Sequence, residues 1–254
     1  MGTTAENEEE APLLSIQNIT KRYAKNSQPA VDDVSLEIKR GEIFGFLGPN
    51  GAGKTTTIKL ITGILPLETG EITIDGHSIA TDAVEAKRRF GYVPDTHDVY
   101  ERMSGLEYIN FVSDIYGVES SLRKQRLERY LAMFELEKAI ADPVKSYSHG
   151  MKQKLCLIGA LIHQPPLWIL DEPMTGLDPQ SAHKLKNEMR EHCNQGNTVF
   201  FSTHVLDVAE RLVDRIGIIN KGKIIAVGTM EQLRAGRDET LESLFLNLTG
   251  EGEA

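Results

Sequence analysis

The chain has 254 residues, enough for one large α/β domain or two small ones, and its 40% hydrophobic and 26% charged residues suit a globular protein with a buried core. A formal net charge of −9 argues against a partner held through nucleic-acid phosphates. The longest apolar run, Leu155 to Ile162, is broken by Gly159 and falls far short of the ~18 residues that a membrane span requires.

In chain order, Met1 to Pro12 is acidic and polar without an apolar leader core, so residues 1–12 read as a disordered tail. Leu13 to Ile19 reads as a strand, followed by Tyr23 and a loop through Asn26-Ser27-Gln28-Pro29. Val31 to Ile38 alternates, with Val34, Leu36 and Ile38 on one face, and predicts a second strand. Glu42 to Leu47 is a short apolar run that predicts a buried strand. It leads into Gly48-Pro49-Asn50-Gly51-Ala52-Gly53-Lys54-Thr55, with a second hydroxyl at Thr56. That stretch fits G-x-x-x-x-G-K-[ST] at every fixed position, and Ile58, Ile61 and Ile64-Leu65 follow at helical spacing.

The glycines let the backbone curl until successive N–H groups face phosphate oxygens. A helix beginning near Lys54 adds its positive end. Lys54 supplies a point charge to the outer phosphates, and Thr55 offers a hydroxyl to Mg²⁺. Strand, glycine-rich turn and helix together make this a nucleotide-binding loop rather than a bare turn.

Glu71 to Asp75 predicts another short strand, turning at Gly76, so the opening third mixes short antiparallel strands with the strand–loop–helix unit. Phe90 to Asp95 reads as a strand ended by Pro94. From Ser104 to about Ala141 the pattern is helical: Leu106, Ile109 and Val112 share one face, and Leu127, Leu131 and Phe134 another. This marks an inserted helical subdomain at about 96–160.

Tyr147-Ser148-His149-Gly150-Met151 opens a helix carrying Met151, Leu155, Ile158 and Ile162, with Ser148 as its N-cap and its first N–H groups free to face an anion. Pro166 to Glu172 is an apolar strand ending in Asp171 and Glu172, at the strand end where ligands of open α/β sheets bind. One carboxylate there suits Mg²⁺ and the next a water. Thr198 to Ser202 is a strand ended by Thr203-His204, which points His204 to the same edge. Arg215 to Ile219 and Lys223 to Val227 pair around Lys221-Gly222, and Leu241 to Leu248 forms a short last helix. Cys156 and Cys193 sit in helical patterns without C-x-x-C spacing and read as buried, reduced thiols.

In this order, with the Ser148 segment ahead of Asp171, the motifs resemble the nucleotide-binding domain of ABC transporters over nearly the whole chain. The resemblance implies an α/β P-loop NTPase fold, with an ABC-type core of mixed β-sheet, an antiparallel β subdomain and the inserted helical subdomain. The ATPase domain would span 13–235, and a short helix and tail 236–254. It implies that Tyr23 stacks on adenine and that Gly48, Pro49, Asn50, Gly51, Ala52, Gly53, Lys54, Thr55 and Thr56 hold ATP. Asp171 becomes a second Mg²⁺-associated residue, Glu172 the general base or water-orienting carboxylate, and His204 the switch histidine at the γ-phosphate. Asp178, in Thr175-Gly176-Leu177-Asp178-Pro179, matches a loop that faces a dimer interface.

The implied assembly is a head-to-tail dimer, homomeric or heteromeric, in which Ser148 and the Gly150 N–H reach the partner's ATP. A polytopic membrane permease would dock near the helical insertion and the Asp95 loop, holding the protein on the inner face of the cell membrane. Nucleic acid is no partner on this reading.

Two departures stand out. The family's usual Leu-Ser-Gly-Gly-Gln is here Tyr147-Ser148-His149-Gly150-Met151, and the loop after Tyr92-Val93-Pro94 presents Asp95 where glutamine is usual. A carboxylate can reach Mg²⁺ directly or through water, yet it repels a γ-phosphate. Tyr92 to Asp95, Tyr147 to Gln153 and Leu244 to Gly250 are similar to ABC-2-type exporter ATPases, the Ecs-type among them. The rival readings are a soluble ABC ATPase acting on a non-membrane partner, and a module that holds ATP without hydrolysing it. The short insertion, the single domain and the acidic balance count against the first, and Glu172 with His204 against the second.

Overall fold

Two kinds of strand build two sheets. β1 (Leu14–Lys21) and β2 (Val31–Ile38) each bury one face, as their mixed sequences dictate, whereas β3 (Ile43–Leu47) is buried throughout. The computed structural model describes residues 11–23, 28–97, 99–234 and 240–250; most of the predicted acidic tail, Asn26 and Ser27 of the predicted loop, and the chain beyond Gly250 lie outside these.

After β3 the chain runs through the glycine-rich loop into α1 (Lys54–Ile61). The helix ends earlier than its apolar spacing predicts. Gly63, at φ +67°, turns the chain, leaving Ile64 56% exposed while Leu65 packs on the core. β4 (Thr69–Ile74) and β5 (His77–Ser78) complete a sheet ordered β2-β1-β4-β5, with every pairing antiparallel.

α2 (Ala83–Arg88) precedes β6 (Phe90–Val93), which stops before Pro94. α3 (Gly105–Ile115) starts with a capping box between Ser104 and Glu107, and α4 (Ser120–Phe134) buries Leu131 and Phe134 as its pattern predicts. In α3 the predicted face holds at Ile109 and Val112 but not at Leu106, which is 39% exposed. Residues spaced by three turn about 60° from one another, so a stripe of three is broad and its first member swings into solvent.

α5 (His149–Leu161) leads to β7 (Leu167–Asp171), and α6 (Pro179–Asn194) to β8 (Thr198–Thr203). α7 (Leu206–Leu212), β9 (Arg215–Asn220), β10 (Lys223–Gly228), α8 (Met230–Arg234) and α9 (Leu241–Thr249) finish the described chain. The second sheet is ordered β10-β9-β3-β8-β7-β6, parallel except for the β10–β9 hairpin.

Side chains of its strands alternate between two core layers. Ile169 and Phe200 pack with β1, β2 and α1 on one side, where Phe44 and Phe200 stack at 5.9 Å. Trp168, Leu170, Val199 and Phe201 pack under α3 to α6 on the other. Cys156 and Cys193 are both buried and neither is in a disulfide, as their surroundings in the sequence predict.

Candidate active site

Parallel pairing puts the business ends of distant segments side by side. Leu47, the last residue of β3, is in register with Thr203, and Asp171, the last of β7, with Ser202. The glycine-rich loop, Asp171-Glu172 and His204 therefore leave neighbouring strands at one carboxyl edge of the sheet, where such sheets take their ligands.

The loop needs its glycines for space as well as flexibility. Gly53 has φ +113° and a Cβ there would stand 2.4 Å from the Ala30 carbonyl oxygen. It is also the N-cap of α1 without supplying a side-chain cap, so first-turn N–H groups stay available to an anion, and no acidic residue occupies that turn. Pro49, Asn50, Gly51, Gly53, Lys54, Thr55 and Thr56 line a cleft of about 240 Å³ together with Ala30, Asp95 and Glu172. The Tyr23 hydroxyl lies 3.5 Å from Thr56 Oγ1 and the ring is 40% exposed, open to a stacking partner beside the loop.

Within the cleft the charges are already connected. Lys54, only 6% exposed, donates from Nζ to the carbonyls of Gly48 (2.7 Å) and Pro49 (3.3 Å) and stands 3.4 Å from Glu172 Oε1. The other oxygen, Glu172 Oε2, lies 3.0 Å from His204 Nδ1. A carboxylate only accepts, so the ring proton sits on Nδ1. Glu172 itself has φ +49°, a left-handed conformation that costs a non-glycine residue roughly 1–3 kcal/mol. Its N–H, donating to Ser202 Oγ at 3.0 Å, helps to hold it there.

Ser202 does double service, since its hydroxyl also donates to Asp171 Oδ1 at 2.5 Å. Burial pushes the Asp171 carboxyl above its ordinary range; the Ser202 and Thr55 hydroxyls pull it back, and the charges of Asp95 and Glu172 push it further up. Asp171 Oδ2 is buried and makes no hydrogen bond among the described residues. An orphaned carboxylate oxygen near a threonine hydroxyl fits a hard divalent cation such as Mg²⁺. No three His, Cys, Asp or Glu side chains gather to hold a metal among the described residues, so a cation held here would need oxygen ligands from outside the protein as well. Asp95 is exposed, with Oδ1 accepting the N–H of Thr96 at 2.8 Å.

Ser148, Gly150 and Asp178 do not line this cleft. Ser148 caps α5, accepting the Met151 N–H at 3.3 Å, and is exposed, as is His149 after it. Asp178 caps α6: it accepts from the Ser181 N–H and hydroxyl at 2.8 and 2.6 Å, pairs with Lys154 at 3.2 Å, and is held well below the usual carboxylate range, chiefly by Ser181. The predicted site residues thus fall into two groups on one chain.

Sequence reasoning missed three polar residues that support the site. Ser202 is one. Tyr92 is another, half-buried with its hydroxyl out of solvent, where burial and the charges of Asp171 and Asp95 hold the phenol protonated. Gln153 is the third, fully buried and donating from Nε2 to the Pro173 carbonyl at 2.8 Å. The signal for Ser202 was present: a small hydroxyl residue after the apolar Val199-Phe200-Phe201, on the same edge as the carboxylates.

Phosphate cradled at one strand end, with a carboxylate held opposite it from a nearby strand, is the construction of the P-loop ATPases, and this fold is of that class. The sequence profile of the ABC transporter family matches residues 31–175, and the chain belongs to that family.

It is 37% identical over 244 residues to the linearmycin resistance ATP-binding protein LnrL of Bacillus subtilis, covering 95% of this chain and 77% of LnrL. It is 36% identical over 242 residues to the ABC-type transporter ATP-binding protein EcsA of the same organism, covering 94% and 97%. Among solved structures, an ATP-binding subunit of an ABC transporter superposes with a TM-score of 0.89 at 35% identity, over 93% of this chain and 99% of that one. The dimeric post-hydrolysis state of the ATP-binding cassette MJ0796, bound to ADP and Pi, superposes at 0.77 with 26% identity, over 85% and 98%. The chain is an ATP-hydrolysing subunit of an ABC transporter.

Proposed function

We propose that the chain hydrolyses ATP between two cassettes to drive a separate membrane permease in the export direction, from the inner face of the membrane. The observation that carries the catalytic half is the Lys54–Glu172–His204 chain of contacts at the mouth of the glycine-rich loop. In this reading Gly48 to Thr56 hold the phosphates, Tyr23 stacks on the adenine, and Lys54 neutralises the outer phosphates. Glu172 orients the attacking water and takes its proton. The water oxygen bonds to the γ-phosphorus as the bond to the bridging oxygen breaks, giving ADP and inorganic phosphate. His204 holds Glu172 in place through its Nδ1 proton, with its ring at the γ-phosphate.

Thr55 and Asp171, with Asp95 at the margin, would hold Mg²⁺, which neutralises phosphate charge when bound. Ser148 and Gly150 complete the site of a second copy or a related cassette, and Asp178 faces that interface. Their separation from the cleft on their own chain supports such an exchange, as does the dimeric state of the MJ0796 cassette. The ATPase domain is assigned to 13–235, with its helical subdomain at about 96–160.

Export is supported by the resistance role in the name of LnrL. Among the described residues no helix is long and apolar enough to cross a membrane, which accords with a partner chain supplying the path. Purification from membranes in mild detergent is expected to bring down a stoichiometric polytopic protein; a ribosomal or soluble partner instead would overturn the permease assignment.

Asp95 gives a second test. Its charge pushes Asp171 towards the protonated form and faces the cleft that phosphate would enter. Asp95→Gln is therefore expected to leave ATPase kcat unchanged or up to ~3-fold higher, a barrier change below about 1 kcal/mol. Complete loss of turnover would show that the carboxylate is required.

A further inference from the structure

His149 is the first residue of α5, exposed beside Ser148, yet its ring lies against two loops of its own chain. On one side it meets the ring of His97 edge-on, with centroids 5.2 Å apart and planes at 78°. On the other it covers the turn at Gly176 so closely that a Cβ on Gly176 would stand 2.9 Å from His149 Cδ2 and 3.2 Å from Nε2. Gly176 has φ +85°, so both the conformation and the ring above it call for glycine.

The same helix start grips the neighbouring residues. Gln153 Nε2 donates to the Pro173 carbonyl at 2.8 Å, and Lys154 pairs with Asp178 at 3.2 Å. The segment from Glu172 to Asp178 has little internal support: Thr175 N–H reaches Glu172 O at 3.2 Å and Leu177 N–H reaches Met174 O at 3.4 Å. Thr175, Gly176 and Asp178 are all exposed. A short exposed turn with so few bonds takes its shape from what packs on it.

We propose that His149 is a positioning residue, filling the space between the His97 loop and the Gly176 turn so that the Glu172–Asp178 segment and the start of α5 move as one body. This rests on the roles proposed above for Glu172 and Ser148. On that basis each chain rigidly joins the carboxylate that serves its own ATP to the helix start that serves its partner's. Loss of the ring would leave ATP binding intact and blur the placement of Glu172, and small misplacements of catalytic groups are costly.

Two variants separate packing from other roles. His149→Gly removes the ring, and His149→Phe keeps a flat ring of similar breadth. The full chain with Mg²⁺ and ATP is expected to show a ~10-fold lower kcat for His149→Gly with KM for ATP within ~2-fold, and recovery to near wild type in His149→Phe. A wild-type kcat in His149→Gly, a kcat in His149→Phe as low as in His149→Gly, or a KM that rises in step with the loss would each overturn the proposal. Light scattering of the Glu172→Gln protein with ATP reports separately on dimerisation. Its failure would sink the two-cassette reading, while the kcat and KM comparison still judges His149.

Discussion

Replacing Lys54 with alanine is expected to remove the ATP-induced rise in thermal midpoint and to abolish measurable ATPase activity, while the nucleotide-free protein melts close to wild type. Among the described residues the amine is the one positive side chain that lines the cleft, and it already lies within hydrogen-bonding distance of the loop carbonyls and ion-pairing distance of Glu172. Charge-assisted hydrogen bonds contribute about 1.5–3 kcal/mol each, so its loss alone should weaken nucleotide binding roughly 10- to 100-fold. At ligand concentrations that saturate wild type this removes most of the stabilisation by mass action. The fold should survive, because the loop keeps its own backbone bonds: Ala52 N–H to Pro49 O at 3.1 Å, and Gly222 N–H to Ala52 O at 2.9 Å. Unchanged ATP binding would mean that the loop is not the nucleotide site. Differential scanning fluorimetry with and without ATP makes the measurement.

Local chemistry explains which parts of this site could be read from sequence. The strand before the loop, the helix start after it, the Ser148 cap and the strand ending in Asp171 are all set by residues adjacent in the chain, and the structure has each of them where the pattern puts it. The antiparallel first sheet is likewise written in short alternating runs. What the sequence leaves open is decided by contacts between distant segments. That β8 lies between β3 and β7, so that His204 meets Glu172, follows from strand order and not from any local pattern.

The missed helices have a similar cause. α2, α7 and α8 are short, with little buried apolar surface of their own. α6 is strongly polar and was hinted at only around Cys193, although Asp178-Pro179, an N-cap followed by proline at the first helical position, marks its start. Ile64 and Leu106 err in the opposite sense. Each sits at one end of an apolar spacing, where a glycine turn (Ile64) or the angular offset of residues three apart (Leu106) takes it out of the core. His149 is a subtler case: the sequence shows a bulky residue where the family's motif usually has glycine, but only the fold reveals that Gly176 makes room for it.

Glu172→Gln should part the two functions that Lys54→Ala removes together. The amide keeps the size of the side chain and an oxygen able to accept from His204 Nδ1, and glutamine meets the left-handed backbone at φ +49° on much the same terms as glutamate. What disappears is the negative charge and the ability to take a proton. Positioned acid–base groups contribute about 10²- to 10⁴-fold to rate, so kcat should fall by that order. Nucleotide affinity should hold or rise, because the change takes a like charge away from the place an incoming phosphate must occupy. With hydrolysis blocked, the shared phosphate is never lost, and ATP should accumulate the closed pair of cassettes. Size-exclusion chromatography with light scattering is expected to show a dimer with ATP and a monomer with ADP. Full turnover in Glu172→Gln would remove Glu172 from its assigned role, whereas blocked turnover without ATP-dependent dimers would leave the base in place and count against the composite site.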